Sequence, residues 1–342
     1  MALILGLGGY FVYRYVTGTP VFVFGHEVDM TAGGLITFVG YFDTLVWPMI
    51  ALGQVVTMRS RSKASLKRIT NFLDQEEEIR NVENAYVLEN VKGEIRFDNF
   101  SFAYPSSEAN VLKNITFTVN PGESVGIVGK IGSGKTTLVN TLLHLYNVER
   151  GKVFIDGPDI IDCNIESLRD AIGYVPQDNF LFSDKIKNNI AFSCNELDMD
   201  KVYDAAKFAD VHSNIEEFTE GYETVSGERG VTLSGGQKQR ISIARAYIKD
   251  APIMILDDSV SAVDVKTEET ILANIQSERK GKTTIVIASR VSTGSHLDKI
   301  LVLDKGEVEA YDTPQRLEEI SPTYKKMVYL QKLEREVEGG EA

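Results

Sequence analysis

"SVGIVGKIGSGKTTLVNTLLHL", Ser124 to Leu145, sets an apolar run, a glycine-rich turn and an apolar-periodic stretch in that order. The first piece fits a buried strand and the last a helix. Between them, Gly129 to Thr136 matches G-x-x-x-x-G-K-[ST] in the strand–loop–helix context the pattern requires. Gly132 and Gly134 let the backbone of Gly129, Lys130, Ile131, Gly132, Ser133 and Gly134 wrap a phosphate with inward N–H groups, and the helix N-terminus adds a favourable dipole. The spacing places Lys135 on β- and γ-phosphates and Thr136 on Mg²⁺, and Thr137 is counted with the nucleotide-binding residues.

Outward from this stretch, short apolar runs alternate with helical segments from about Gly93 to Tyr311. EIRFDNFSF, ESVGIVG, KVFIDG, AIGYVP, PIMILDD, TTIVIAS and KILVLDKG read as strands. Strands separated by helices imply an α/β fold, a largely parallel sheet covered on both faces. The piece from about 178 to 250 is mostly helical and reads as an inserted subdomain. In MILDDSVSAVD, Met254 to Asp264, three apolar residues run into Asp257, a pattern that fits a metal-binding carboxylate at a strand end or a strand-end cap. Asp258 follows where nucleotide hydrolysis wants a carboxylate to polarise water.

The 342 residues are 43% hydrophobic, enough for one sizeable domain and a smaller piece. A net charge of -13 argues against a nucleic-acid surface. Cys163 and Cys194 fit no metal spacing and no disulfide framework.

The N-terminus differs. Ala2 to Tyr13 is apolar but shorter than the ~20 residues that span a bilayer. Gly33 to Met58 is long enough, with Asp43 its only ionisable residue. Arg59, Arg61, Lys63, Lys67 and Arg68 follow it, whereas the loop before it carries His26, Glu27 and Asp29. The positive-inside rule puts everything after Met58 in the cytoplasm. A buried core helix is the alternative reading. Trp47-Pro48 permits a kink. From about Thr70 the polar NFLDQEEEIRNVENAY reads as a helix leading into a linker. The tail from Pro314 reads as a charged, solvated helix.

Adding LSGGQKQR, Leu233 to Arg240, gives motifs in an order that resembles the ATP-binding-cassette (ABC) superfamily, specifically the exporter type with membrane and nucleotide domains in one chain. The resemblance covers essentially the whole sequence. It implies an α/β P-loop nucleotide-binding domain, a RecA-like core with a helical subdomain, preceded by transmembrane α-helices. The implied organisation is a membrane-domain remnant at 1–69, a linker at 70–92, the cassette at 93–318 with its helical subdomain at about 178–250, and a charged C-terminal helix at 319–342. ATP and Mg²⁺ are the implied cofactors, and ATPase-coupled export the implied activity.

Residue by residue, Tyr104 in FSFAYP matches the aromatic that stacks on adenine, and Gln177 in YVPQ the glutamine that contacts metal and attacking water. Taken alone, these would read as a strand aromatic and a loop polar residue. Gly227 to Gly230 resembles the loop facing the membrane domain. Ser234, Gly235, Gly236 and Gln237 resemble the signature that caps ATP held by a second subunit, and Ser261 to Asp264 the loop joining the two subunits' sites. In this family two cassettes pair head to tail, so one chain contributes two half-sites.

Two positions depart from the family. Asp258 stands where the catalytic glutamate is expected. Water activation needs hydrogen-bond reach, and a misplacement of ~1 Å can cost ~100-fold. Ser289 stands where the switch histidine is expected, and His296 does not replace it. With phosphate loop and signature intact, this resembles the degenerate subunit of heterodimeric exporters. That implies an exporter half in the plasma membrane, cassette in the cytoplasm, partnered by a second half with intact glutamate and histidine. A slow homodimer or a non-transporting ATP-binding fragment is the alternative. The sequence begins inside what resembles the fifth of six membrane helices, so a fragment or misplaced start is expected ahead of a broken gene. Multidrug or lipid-like export is a family expectation, and the sequence names no substrate.

Overall fold

The computed structural model describes residues 1–107, 109–230, 232–259, 263–288, 290, 294 and 296–339, the last six by backbone alone. Two compact units divide the chain, Met1–Glu77 and Glu78–Ala342.

In the first unit a helix Ala2–Val16 leads through two short antiparallel strands, β1 (Phe22–Val23) and β2 (His26–Glu27), to a 42-residue helix, Ala32–Leu73. The Thr31 side chain caps it, accepting from the Gly34 N–H at 3.1 Å. Gly8 lets the two helices approach, since a Cβ there would sit 2.2 Å from Leu35 Cδ1. The long helix is apolar enough to cross a membrane, and none of its apolar window is buried by the described residues. It passes unbroken through Pro48 and the basic cluster to Leu73. The helix that the sequence reading leads into a linker from about Thr70 stops at Leu73. Glu76, Glu77 and Glu78 bring like charges with no apolar face to bury.

The second unit is built on a six-stranded sheet. Its strands are β5 (Ser124–Gly129), β7 (Ile172–Val175), β8 (Ile253–Asp257), β9 (Thr283–Ile287), β10 (Lys299–Asp304) and β11 (Glu307–Asp312), in the order β11-β10-β5-β9-β8-β7. All pairings are parallel except β10 with β11. Alternation along the buried strands divides the core. Ile253, Ile255, Ile285 and Ile287 face one hydrophobic cluster; Met254, Leu256 and Val286 face the other. Both sides are therefore covered, as the near-continuous apolar runs imply.

A second, antiparallel sheet orders β4 (Leu112–Val119), β3 (Ile95–Phe102) and β6 (Val153–Ile155). Its entry is pinned by Asp156, whose carboxylate accepts from the N–H groups of Lys92 (2.6 Å), Gly93 (3.0 Å) and Glu94 (2.8 Å). Between β7 and β8 lie the helices Ile186–Ile190, Met199–Phe208, His212–Glu216 and Gly235–Ile248, which bury Val202, Phe208, Ile241 and Ile243 among themselves. The C-terminal reading is corrected. Two helices, Pro314–Ile320 and Pro322–Gly339, replace one, and Leu317 and Tyr324 pack on Val128, Ile300 and Val302 instead of being solvated.

Candidate nucleotide site

The loop after β5 opens the helix Lys135–Leu142. Its N-cap, Gly134, takes φ 101° and ψ 8°, and no side chain caps the helix. The first-turn N–H groups thus lack a side-chain acceptor and are free to meet an oxyanion. A side chain at Gly134 would be strained by that φ and would meet Leu112 Cδ2 at 2.7 Å. Gly129 is fixed by space: a Cβ would sit 2.2 Å from the Leu303 carbonyl oxygen and 2.7 Å from Ser133 Oγ. Ser133 Oγ is buried without a hydrogen-bond partner among the described residues, whereas Ile131 is fully exposed. Lys130 reaches outward to Asp304 at 3.7 Å.

Lys135 folds back over the loop, its Nζ donating to the carbonyls of Gly129 (2.8 Å) and Lys130 (3.2 Å). Burial lowers its pKa below 10.5, while Asp258 and Asp257 pull it back up. Among the described residues no carboxylate ion-pairs with it, so the ammonium is neutralised only in part.

Asp257, fully buried, ends β8 beside this helix. Its Oδ1 accepts from Thr136 Oγ1 at 3.2 Å and its Oδ2 from the Tyr174 hydroxyl at 3.3 Å. Burial raises its pKa, against the two hydrogen bonds. An uncapped helix end, a part-neutralised ammonium and a buried hydroxyl–carboxylate pair fit a triphosphate with a hard divalent cation.

Tyr174 was not singled out from the sequence. Register is the signal that finds it: β7 pairs with β8 so that Tyr174 opposes Ile255, two residues before Asp257 and on the same face. Tyr104 is half-buried and held edge-on against Phe102 and Tyr146, its hydroxyl 2.8 Å from Thr137 Oγ1. The Thr137 hydroxyl is therefore engaged by the Tyr104 phenol. Gln177 is exposed, two residues beyond β7. The carboxyl ends of β5, β7 and β8 thus carry Gly129, Gln177 and Asp257, the edge where open α/β sheets bind ligands.

Asp258 follows with φ 49°. Its N–H donates to the Ile287 carbonyl at 3.1 Å, and its own carbonyl accepts from Gln239 Nε2 at 3.2 Å. Ser289 and Ser261 lie outside the described residues. Asp264 caps the next helix, Val265–Glu278, accepting from the Thr267 N–H at 3.0 Å.

The signature residues open a different helix. Ser234 Oγ accepts from the Gln237 N–H at 3.2 Å, and Gln237 Oε1 from the Ser234 N–H at 2.9 Å, a reciprocal capping box. Because Ser234 Oγ is an acceptor here, its proton is free to point outward. Ser234 and Gly235 are exposed. In Gly227 to Gly230, Arg229 has φ 51°.

Residues 112–261 match the family model described as ABC transporter. The probable multidrug resistance ABC transporter ATP-binding/permease protein YheI of Bacillus subtilis is 40% identical over 336 residues, 98% of this chain and 55% of that protein. An uncharacterized ABC transporter ATP-binding protein of the same organism, YknU, is 39% identical over 303 residues, 89% of this chain and 52% of that protein. The structure of a bacterial Atm1-family ABC exporter with ATP bound superposes with a TM-score of 0.77 at 34% identity, covering 96% of this chain and 56% of that one. The chain spans about half the length of the curated relatives it matches. Phosphate loop, strand-end carboxylate, signature helix and these likenesses agree: this chain carries an ABC transporter domain.

Proposed function

We propose that the chain is the ATP-binding part of an exporter half that works in an asymmetric pair. The observation that carries this reading is the Thr136–Asp257 hydrogen bond beside an uncapped helix and Lys135, with Asp258 as the next residue. Thr136, Asp257 and Gln177 would hold Mg²⁺, which when bound would neutralise charge on the triphosphate. Lys135 and the Gly129–Gly134 backbone bind and orient the triphosphate, and Tyr104 faces the adenine. Asp258 reaches less far than a glutamate, so this half-site holds ATP and turns it over slowly. The Ser234–Gly236 segment, exposed at Ser234 and Gly235, completes a competent site on the partner. The helix Ala32–Leu73 crosses the bilayer over 33–58, with the cassette on the cytoplasmic side.

A tag after Ala342 at the chromosomal locus, followed by mass spectrometry of detergent-extracted native membranes, tests the pairing. The expected companion is a second cassette exporter half with glutamate and histidine at the positions equivalent to 258 and 289. Recovery of this chain with only its own copies sinks the asymmetric reading. Nucleotide contacts are tested separately. Stacking on an aromatic ring contributes about 1–3 kcal/mol per base, so Tyr104→Ala is expected to weaken ATP binding roughly tenfold. Tripolyphosphate binding should not change, both ligands being titrated by calorimetry. An equal loss for both ligands would place Tyr104 in loop support instead.

A further inference from the structure

The backbone of Asp258 is held from two sides. Its N–H is fixed to the end of β9 through Ile287, and its carbonyl to Gln239 on the helix that Ser234 caps. A φ of 49° is uncommon for a residue with a side chain and persists where its surroundings impose it. The Gln239 contact is one of those constraints. Gln239 is 3% exposed, and facing a carbonyl it must present its NH₂ group. Its Oε1 is then buried without a partner among the described residues. Ser242 Oγ on the same helix and Ser259 Oγ, next to Asp258, are buried in the same condition. A seam serving only packing would be filled by apolar side chains, because unpaired buried polar atoms are costly. These three mark a polar joint between the signature helix and the end of β8.

We propose that Gln239 is a positioning residue that couples the chain's two half-sites, hooking the Asp258 carbonyl to the helix that begins at Ser234. Asp258 belongs to the site this chain builds around its own phosphate loop; Ser234 to Gly236 face the partner's. Movement of the signature helix is carried by one carboxamide to the backbone that sets where the Asp258 carboxylate points. The coupling rests on the proposed ATP site at Lys135.

Hydrogen–deuterium exchange of the full chain in detergent, with and without ATP and Mg²⁺, tests it. In the native chain ATP should slow exchange at the phosphate loop, at 253–259 and at the signature segment 234–241. Gln239→Met, similar in size but without a donor, should keep the native ATP Kd and phosphate-loop protection. It should lose the response at 234–241. Gln239→Glu, which has no NH₂ group to donate, should behave alike. A signature response that persists in both variants, or that is missing from the native chain while ATP binds, overturns the coupling. Unfolding of both variants makes Gln239 a packing residue and overturns it too. Failure of the native chain to protect its phosphate loop at all, with Lys135→Ala indistinguishable from it, is the separate failure of the ATP reading.

Discussion

Lys135→Ala is expected to abolish ATP binding at micromolar nucleotide. A charge-assisted hydrogen bond to phosphate contributes about 1.5–3 kcal/mol, and the upper end corresponds to roughly 100-fold in Kd. Two features support that end of the range. The ammonium is partly desolvated, so its field is poorly screened. Its present partners are two carbonyls of the loop itself, which a phosphate can replace without breaking an ion pair. The change should not unfold the protein, since the helix it opens is anchored by Leu138, Val139 and Leu142 in the core. Titration with a fluorescent ATP analogue, beside a thermal melt, reads both quantities. Retention of native affinity would mean that the loop amides alone hold the triphosphate.

The second large effect runs the other way. Asp258→Glu combined with Ser289→His is expected to raise turnover at this chain's own half-site by ~100-fold, the cost assigned to a ~1 Å error in reach. On the proposed asymmetric pairing, the assay is phosphate release from the pair with the companion half's glutamate replaced by glutamine, so that only this site reports. Asp258→Glu alone should give part of the gain. If the double variant is no faster, carboxylate reach does not limit this site. The backbone at 258, with its left-handed φ, would then be the element that misplaces the carboxylate.

What the sequence disclosed followed from what the core demands. β5, β8 and β9 are buried on both faces, so their apolar runs stand out, and the glycines and lysine of the loop stand in one contiguous motif. β4 and β11 escaped notice for opposite reasons. β4 interrupts its apolar positions with Lys113 and Asn114 and pairs with a register shift. β11 is an edge strand, so Glu307 and Glu309 interrupt its pattern. Tyr174 and Gln239 were illegible because their roles exist only across strands and between helix and strand. No spacing along the chain brings residue 174 to 257 or residue 239 to 258.

The unbroken helix from Ala32 to Leu73 has a mechanical meaning on the proposed reading. At ~1.5 Å per residue, the part beyond Met58 is a stiff rod of about 22 Å standing clear of the bilayer. Tilting that rod by ~10° would swing its tip through about 4 Å. A small rocking at the hydrocarbon boundary is thereby magnified into a displacement larger than a hydrogen bond. Gearing of this kind needs stiffness above all, so a paired glycine insertion between Lys63 and Ala64 would slacken the lever while leaving every nucleotide contact intact.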